Sequence, residues 1–149
     1  MEKAFRTLRG VLAGSEPDEK TYFAYSATLR IFGDIPNLEA ISVRLGLEPT
    51  RTHRKGDKPD PRHSGFRNDM WSYTSPVDKS EHLEKHIDAL WERLKPHRRY
   101  LLMLKKSLSV DVFLSYRSNC DHAGIEVPYK SLELFTELEI PFGVSIIIT

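Results

Sequence analysis

The sequence predicts an α+β fold, with a mainly antiparallel sheet of about five strands and helices packed on one face. Three observations lead there. Residues 22–32, 110–117 and 142–148 alternate apolar and polar side chains with period two, the mark of a strand with one buried face. Leu83, Ile87, Leu90, Trp91 and Leu94 recur instead at helical spacing. The strands alternate and are not apolar throughout, so the sheet has one covered and one open face. A chain of 149 residues suits one domain with a sizeable core.

The expected order is β-α-β-α-α-β-β-α-β. Residues 1–21 read as an N-terminal extension. Phe5, Leu8, Val11 and Leu12 sit there at roughly helical spacing, broken by Gly10 and by Gly14-Ser15-Glu16-Pro17. The single domain then spans residues 22–149. In its first strand Phe23, Tyr25, Ala27, Leu29 and Ile31 point one way, while Ala24, Ser26, Thr28 and Arg30 point the other. Gly33-Asp34-Ile35-Pro36 turns the chain into a short helix carrying Leu38, Ile41 and Leu45, which Gly46 can end in a left-handed conformation.

Residues 50–68 are polar and basic and read as a long loop, a feature compact domains rarely keep unless it is used or disordered. Residues 70–74 form a short strand, closed by Ser75-Pro76. Asp78 and Glu81 resemble a capping arrangement ahead of the clearest helix. Pro96 interrupts that helix and opens a second one, running to about residue 106 and burying Leu101 and Leu104. Val110, Val112, Leu114 and Tyr116 form one face of the next strand. After a polar turn at 118–122, Ala123, Ile125 and Val127 suit its hairpin partner. Pro128 opens a helix carrying Leu132, Phe135 and Leu138, and the final strand shows Phe142, Val144, Ile146 and Ile148 on one face.

Several of these segments carry a family resemblance. They are ATLRIFGD at 27–34, LGLEPTRTHRKGD at 45–57, MWSYTSP at 70–76, HLEKHIDALWERLKP at 82–96, VDVFLSY at 110–116 and the closing LELFTELEIPFGVSIII. Together they resemble the bacterial family catalogued as domain of unknown function 4279, over about residues 22–149. The most specific element is Leu45 to Thr50, with Gly56-Asp57 and Trp71 downstream. The resemblance implies a bacterial single-domain protein and supplies no catalytic residues.

The chain is 40% hydrophobic and 29% charged with a net charge of +1, so global charge argues for neither nucleic acid nor an anionic membrane surface. Its single cysteine, Cys120, permits no internal disulfide and fits a reducing compartment. No apolar run approaches the roughly 20 residues that span a bilayer. Arg6, Arg9 and Glu16 interrupt any signal-peptide core, so the expected setting is soluble and cytoplasmic.

Electrostatic preference is therefore local. Between Thr50 and Asn68, six lysines and arginines stand against Asp57 and Asp60. Arg51, His53, Arg54 and Lys55 are the candidate contacts, with Arg30 and Arg117 beside Phe113 and Tyr22 on the open sheet face. Gly46, Glu48, Pro49, Thr50, Gly56 and Asp57 are expected to shape the loop, and Trp71 to anchor its return. The bland alternative is a solvated loop. An acidic protein or an anionic small ligand fits the charge. Nucleic acid is disfavoured, because zinc-finger spacing and an RNP-type aromatic motif are both missing.

Catalytic signatures are missing as well: no Gly-x-Ser-x-Gly elbow, P-loop or dinucleotide fingerprint occurs. Cys120 and His122 lie two residues apart on one turn, poor spacing for a positioned nucleophile and base. His82 and His86 have metal-ligand spacing. Leu83 and Lys85 occupy the places where zincin-type motifs need glutamate, so both histidines read as solvated residues at the edge of the buried stripe. No metal or cofactor is expected. The leading reading is a non-enzymatic binding module centred on the basic loop, adaptor- or immunity-like. The alternative is a small-ligand protein or enzyme with a pocket between loop and sheet, involving Arg30, His53, Asp57 and Trp71. A third reading pairs the Ile146-Ile147-Ile148 strand edge to edge in a homodimer.

Overall fold

A computed structural model describes residues 20–121 and 124–149. The spacing at Phe5, Leu8, Val11 and Leu12 lies outside the described residues. Five strands and four α-helices are present among them: β1 (Phe23–Gly33), α1 (Leu38–Leu45), β2 (Arg51–His53), β3 (Asp69–Thr74), α2 (Leu83–Leu94), α3 (Arg98–Leu104), β4 (Ser109–Ser118), α4 (Glu133–Leu138) and β5 (Phe142–Ile148). The sheet runs β2-β3-β1-β4-β5. Neighbouring strands are antiparallel except β4 and β5, which are parallel. A parallel pair needs a crossover, and the segment carrying α4 supplies it. The class is α+β, with the helices on one face.

The register explains the alternation. Leu29 lies between Tyr73 and Val112, and Ile31 between Trp71 and Val110, so the apolar residues of three strands fall in rows on the helix side. Ile87, Leu90 and Leu94 of α2, Leu101 of α3 and Leu134 and Leu138 of α4 close over them. Each such leucine or isoleucine, fully buried, stabilises the fold by about 1.5–3 kcal/mol. Moving one residue along β1 reverses the face. Arg30 lies between Ser72 and Asp111, and Thr28 between Thr74 and Phe113, on the open side.

The element order is β-α-β-β-α-α-β-α-β, which corrects the sequence reading in two places. Residues 51–53 form an edge strand, not loop. The chain is held there by Thr50 N–H donating to the Ser72 carbonyl and by Thr74 N–H donating to Thr50 Oγ1, each at 2.8 Å. Of the expected hairpin partner of β4, Ala123 lies outside the described residues, and residues 124–128 carry no strand. Both edges of β4 are already occupied, by β1 and by β5, so Ile125 and Val127 pack against the core as irregular chain.

Helix ends follow local chemistry. Asn37 Oδ1 accepts the Ala40 N–H at the start of α1, and Gly46 ends it at φ 64° with its N–H on the Ser42 carbonyl. Pro96 falls in a 3₁₀ turn, Lys95–His97, so the second helix begins only at Arg98. Lys105 Nζ donates to the carbonyls of Leu138 and Glu139 at 3.0 and 2.6 Å, capping α4.

Candidate functional site

The stretch 54–68 is a folded loop. Gly56 N–H donates to the Phe66 carbonyl and Phe66 N–H to the Asp57 carbonyl, at 2.8 and 3.0 Å, so the two limbs cross. Asp57 Oδ2 accepts the Arg54 N–H at 2.8 Å and closes the first limb. At the crossing, a Cβ on Gly65 would lie 3.1 Å from the Gly56 carbonyl oxygen and 3.3 Å from its Cα. Both glycines also have positive φ, 88° and 95°, which other residues rarely adopt. His63 Nδ1 accepts the Gly65 N–H at 2.9 Å, which leaves the ring hydrogen to Nε2.

Asp69 fastens this loop to the domain. Its Oδ1 accepts the Lys55 N–H at 2.8 Å and its Oδ2 accepts the Ile35 N–H at 3.0 Å. Those two backbone bonds hold the carboxyl below the usual range, with Arg54 nearby adding to the effect. Arg54 Nη1 reaches the Ile35 carbonyl at 2.6 Å and stands 3.5 Å from Asp69 Oδ2. The Arg54 side chain is therefore engaged with the Ile35 turn and Asp69.

Where the loop returns, it leaves a cleft of about 190 Å³ against the open face, lined by Arg30, Phe32, His53, Phe66, Arg67, Asn68 and Met70. Phe66 stacks flat on His53, with ring centroids 3.6 Å apart and planes 8° from parallel. Burial lowers the His53 pKa and Arg51 adds to the shift, while Asp57, the Asn68 backbone and Asp69 oppose it. His53 Nδ1 is buried without a hydrogen-bond partner among the described residues. Arg30 lies between Phe113 and Phe32, 4.8 and 5.6 Å from the ring centres. Its fork donates to both carboxylate oxygens of Asp111, at 2.8 and 2.6 Å. Those bonds raise its pKa further, against the cost of burial.

The residues singled out in sequence thus separate. Arg51, in the sheet row of Arg30, and His53, in the next row, share one corner of the open face. Lys55 is exposed and contributes its backbone N–H to Asp69. Arg117 stands six residues along β4 from Asp111, about 20 Å from the cleft at strand spacing. Trp71 is fully buried on the opposite face, with Nε1–H donating to Ser42 Oγ at 2.9 Å. Asp57 holds the loop backbone, Glu48 is exposed and Pro49 is half-buried. Arg51, Lys55, Lys58, Arg62 and Arg67 make no ion pair through their side chains among the described residues. Sequence reasoning did not single out Phe66, Asn68, Phe32 or Met70 as contacts. The available signal was that Phe66 is the one aromatic in a polar stretch.

The histidine pair differs from expectation. His82 is exposed, whereas His86 is fully buried. The Glu81 carbonyl can only accept, so His86 Nε2 carries the hydrogen (3.2 Å) and Nδ1 accepts from Ser75 Oγ (3.0 Å). Burial lowers the pKa of His86, favouring the neutral ring. Ser75 and His86 are 5% and 0% exposed and line neither cavity, so this pair is a packed internal link. The larger cavity, about 390 Å³, opens on the helix face between the start of α2 and residues 124–128. None of the expected site residues lines it. Among the described residues, no group of three or more His, Cys, Asp and Glu is placed to hold a metal ion, and no helix is long and apolar enough to cross a membrane.

Comparison with curated proteins and with solved structures returns no match. The model of one family, described as Domain of unknown function (DUF4279), matches residues 21–149, nearly the whole chain, and the chain belongs to that family.

Proposed function

We propose that this chain is a non-catalytic binding module that takes an acidic segment of a protein partner at the corner where the basic loop meets the open sheet face. The observation that carries this reading is a small, half-apolar cleft flanked by cations that have no carboxylate partner among the described residues. Arg67 lines the cleft and Arg51 stands beside it on β2. Arg30 and Arg54, by contrast, are engaged with Asp111 and Asp69. Free guanidinium groups form bidentate contacts with carboxylates. The flat face of the His53–Phe66 stack suits an apolar or aromatic side chain.

Size supports a protein partner over a metabolite. Small-molecule sites enclose about 300–1,000 Å³, and this cleft of about 190 Å³ matches one anchoring side chain better. Chemistry supports binding over catalysis. His53 is the one histidine of the lining, and burial lowers its pKa. No serine, cysteine, tyrosine or carboxylate converges on it in the lining. The role that fits is a bacterial, cytoplasmic, adaptor- or immunity-like protein that masks an acidic surface. A second reading, a small anionic ligand, draws on the convergence of Arg30, Arg67 and Asn68.

Affinity capture from the source cells with wild type and with Arg51→Glu/Arg67→Glu tests the proposal. Both residues are exposed, so the fold tolerates the change. A protein retained by wild type and lost from the variant supports the reading. Equal recovery of every bound protein overturns it, and a bound small anion in place of a protein favours the second reading.

A further inference from the structure

The two edges of the sheet, β2 and β5, are built differently. β2 is three residues long and carries Arg51, a short and charged edge of the kind that discourages pairing. β5 has seven residues, and residues 141–149 include no charge. One edge of β5 is occupied by parallel pairing with β4, and no strand lies on the other among the described residues. Its apolar side chains are about half-exposed. Phe142, Val144, Ile146 and Ile148 are 47%, 42%, 60% and 48% exposed on the helix side, and Ile147 is 40% exposed on the other. The four on the helix side form a contiguous apolar strip of a few hundred Å², the size of the largest patch on a typical monomer.

The strand's own sequence selects its occupant. About a twofold axis through Ser145, antiparallel pairing sets Phe142 opposite the partner's Ile148, Gly143 opposite the partner's Ile147 and Val144 opposite the partner's Ile146. Each contact joins an aromatic or small residue to a β-branched one, and each occurs twice, as an isologous interface requires. A strand bearing charge would meet no countercharge here, whereas a second copy of β5 brings none. We infer that the chain forms a twofold homodimer through β5–β5 pairing, making one continuous ten-stranded sheet. The two patches together fall short of the roughly 1,200 Å² of a standard interface, so the expected dimer is weak and reversible. Such an axis stands perpendicular to the sheet and keeps both open faces on one side. Nine strand spacings then separate the two β2 edges, about 40 Å.

Sedimentation equilibrium of the full chain from ~1 to ~500 µM brackets that affinity. Wild type is expected to dimerise reversibly, and Ile146→Lys to weaken association at least tenfold with an unchanged circular dichroism spectrum. Register is read separately, in a Cys120→Ser background. Opposed residues of an antiparallel pair have Cα atoms about 4.5–5.5 Å apart, within disulfide range. Ser145→Cys should therefore cross-link under mild oxidation far faster than Gly143→Cys. A wild type that stays monomeric throughout overturns the inference, and protected β5 amides in that monomer would mean that another segment, such as residues 1–19, covers the strand. Equal dimerisation of Ile146→Lys, or equal cross-linking of the two cysteine variants, overturns it too.

Discussion

Replacing Asp111 by asparagine separates what Arg30 does for the fold from what it can do for a ligand. The Arg30 fork makes both of its carboxylate bonds to Asp111, and the two side chains are 33% and 16% exposed. Hydrogen bonds to charged groups contribute about 1.5–3 kcal/mol, and exposed ion pairs about 0–1 kcal/mol. A half-exposed bidentate pair falls between, so Asp111→Asn should cost about 1–2 kcal/mol. For a domain of this size that lowers Tm by about 2–8 °C. The same change releases a guanidinium that lines the cleft and removes the carboxylate competing for it. Affinity for an acidic peptide carrying one phenylalanine should then rise by about three- to tenfold, equivalent to roughly 0.7–1.4 kcal/mol. Thermal unfolding and calorimetric titration of the same two proteins read both effects. Opposite signs are the diagnostic result. If affinity falls together with stability, or neither moves, the assignment of Arg30 to a ligand-facing cleft is refuted.

Three further expectations concern the frame of the site. His86 has a lowered pKa in the folded chain and takes up its proton near 6.5 when unfolded. Its contribution is therefore fully present above about pH 6.5, and is lost at up to ~1.4 kcal/mol per pH unit as pH falls toward the folded value. Urea denaturation at stepped pH should show this slope, and it should flatten in His86→Gln. An equal slope in both proteins contradicts the assignment. Trp71→Phe strands Ser42 Oγ and leaves a void, costing about 2–3 kcal/mol by chemical denaturation; a cost under ~0.5 kcal/mol would contradict the packing described. Gly65→Ala forces a Cβ against the Gly56 backbone at positive φ, a strain of about 1–3 kcal/mol borne by the loop. Amide exchange should quicken across residues 54–68 while the core strands keep their protection, and unchanged loop protection would count against the crossing.

Legibility from sequence followed the reach of each interaction. Period-two alternation revealed β1, β4 and β5 because the residues packed against the helices must lie on one face. β2 gave no such signal, since Arg51, Thr52 and His53 form a short polar edge strand. Ile125 and Val127 gave a false one. Their alternation was locally sound, but β5, late in the chain, occupies the edge of β4 that they would have needed. At the site, the positive charge of Arg30 and of residues 50–68 was visible, and its division into engaged and free cations was not. That division depends on Asp111 and Asp69 meeting Arg30 and Arg54 across the sheet and the loop. His86 illustrates the same limit. Helical spacing places it at the edge of the apolar stripe, while Ser75 and the Glu81 carbonyl provide the bonds that make its burial affordable.

Selection of displayed random peptides on the full chain, followed by calorimetric titration of the enriched peptide, addresses the binding site itself. Wild type and Arg51→Glu/Arg67→Glu would be compared at two salt concentrations. The expected result is an acidic consensus with one apolar or aromatic anchor, weakened at least tenfold by the double reversal and weakened further by salt. Enrichment without acidic bias, or an affinity indifferent to both the reversal and the salt, would contradict the proposal.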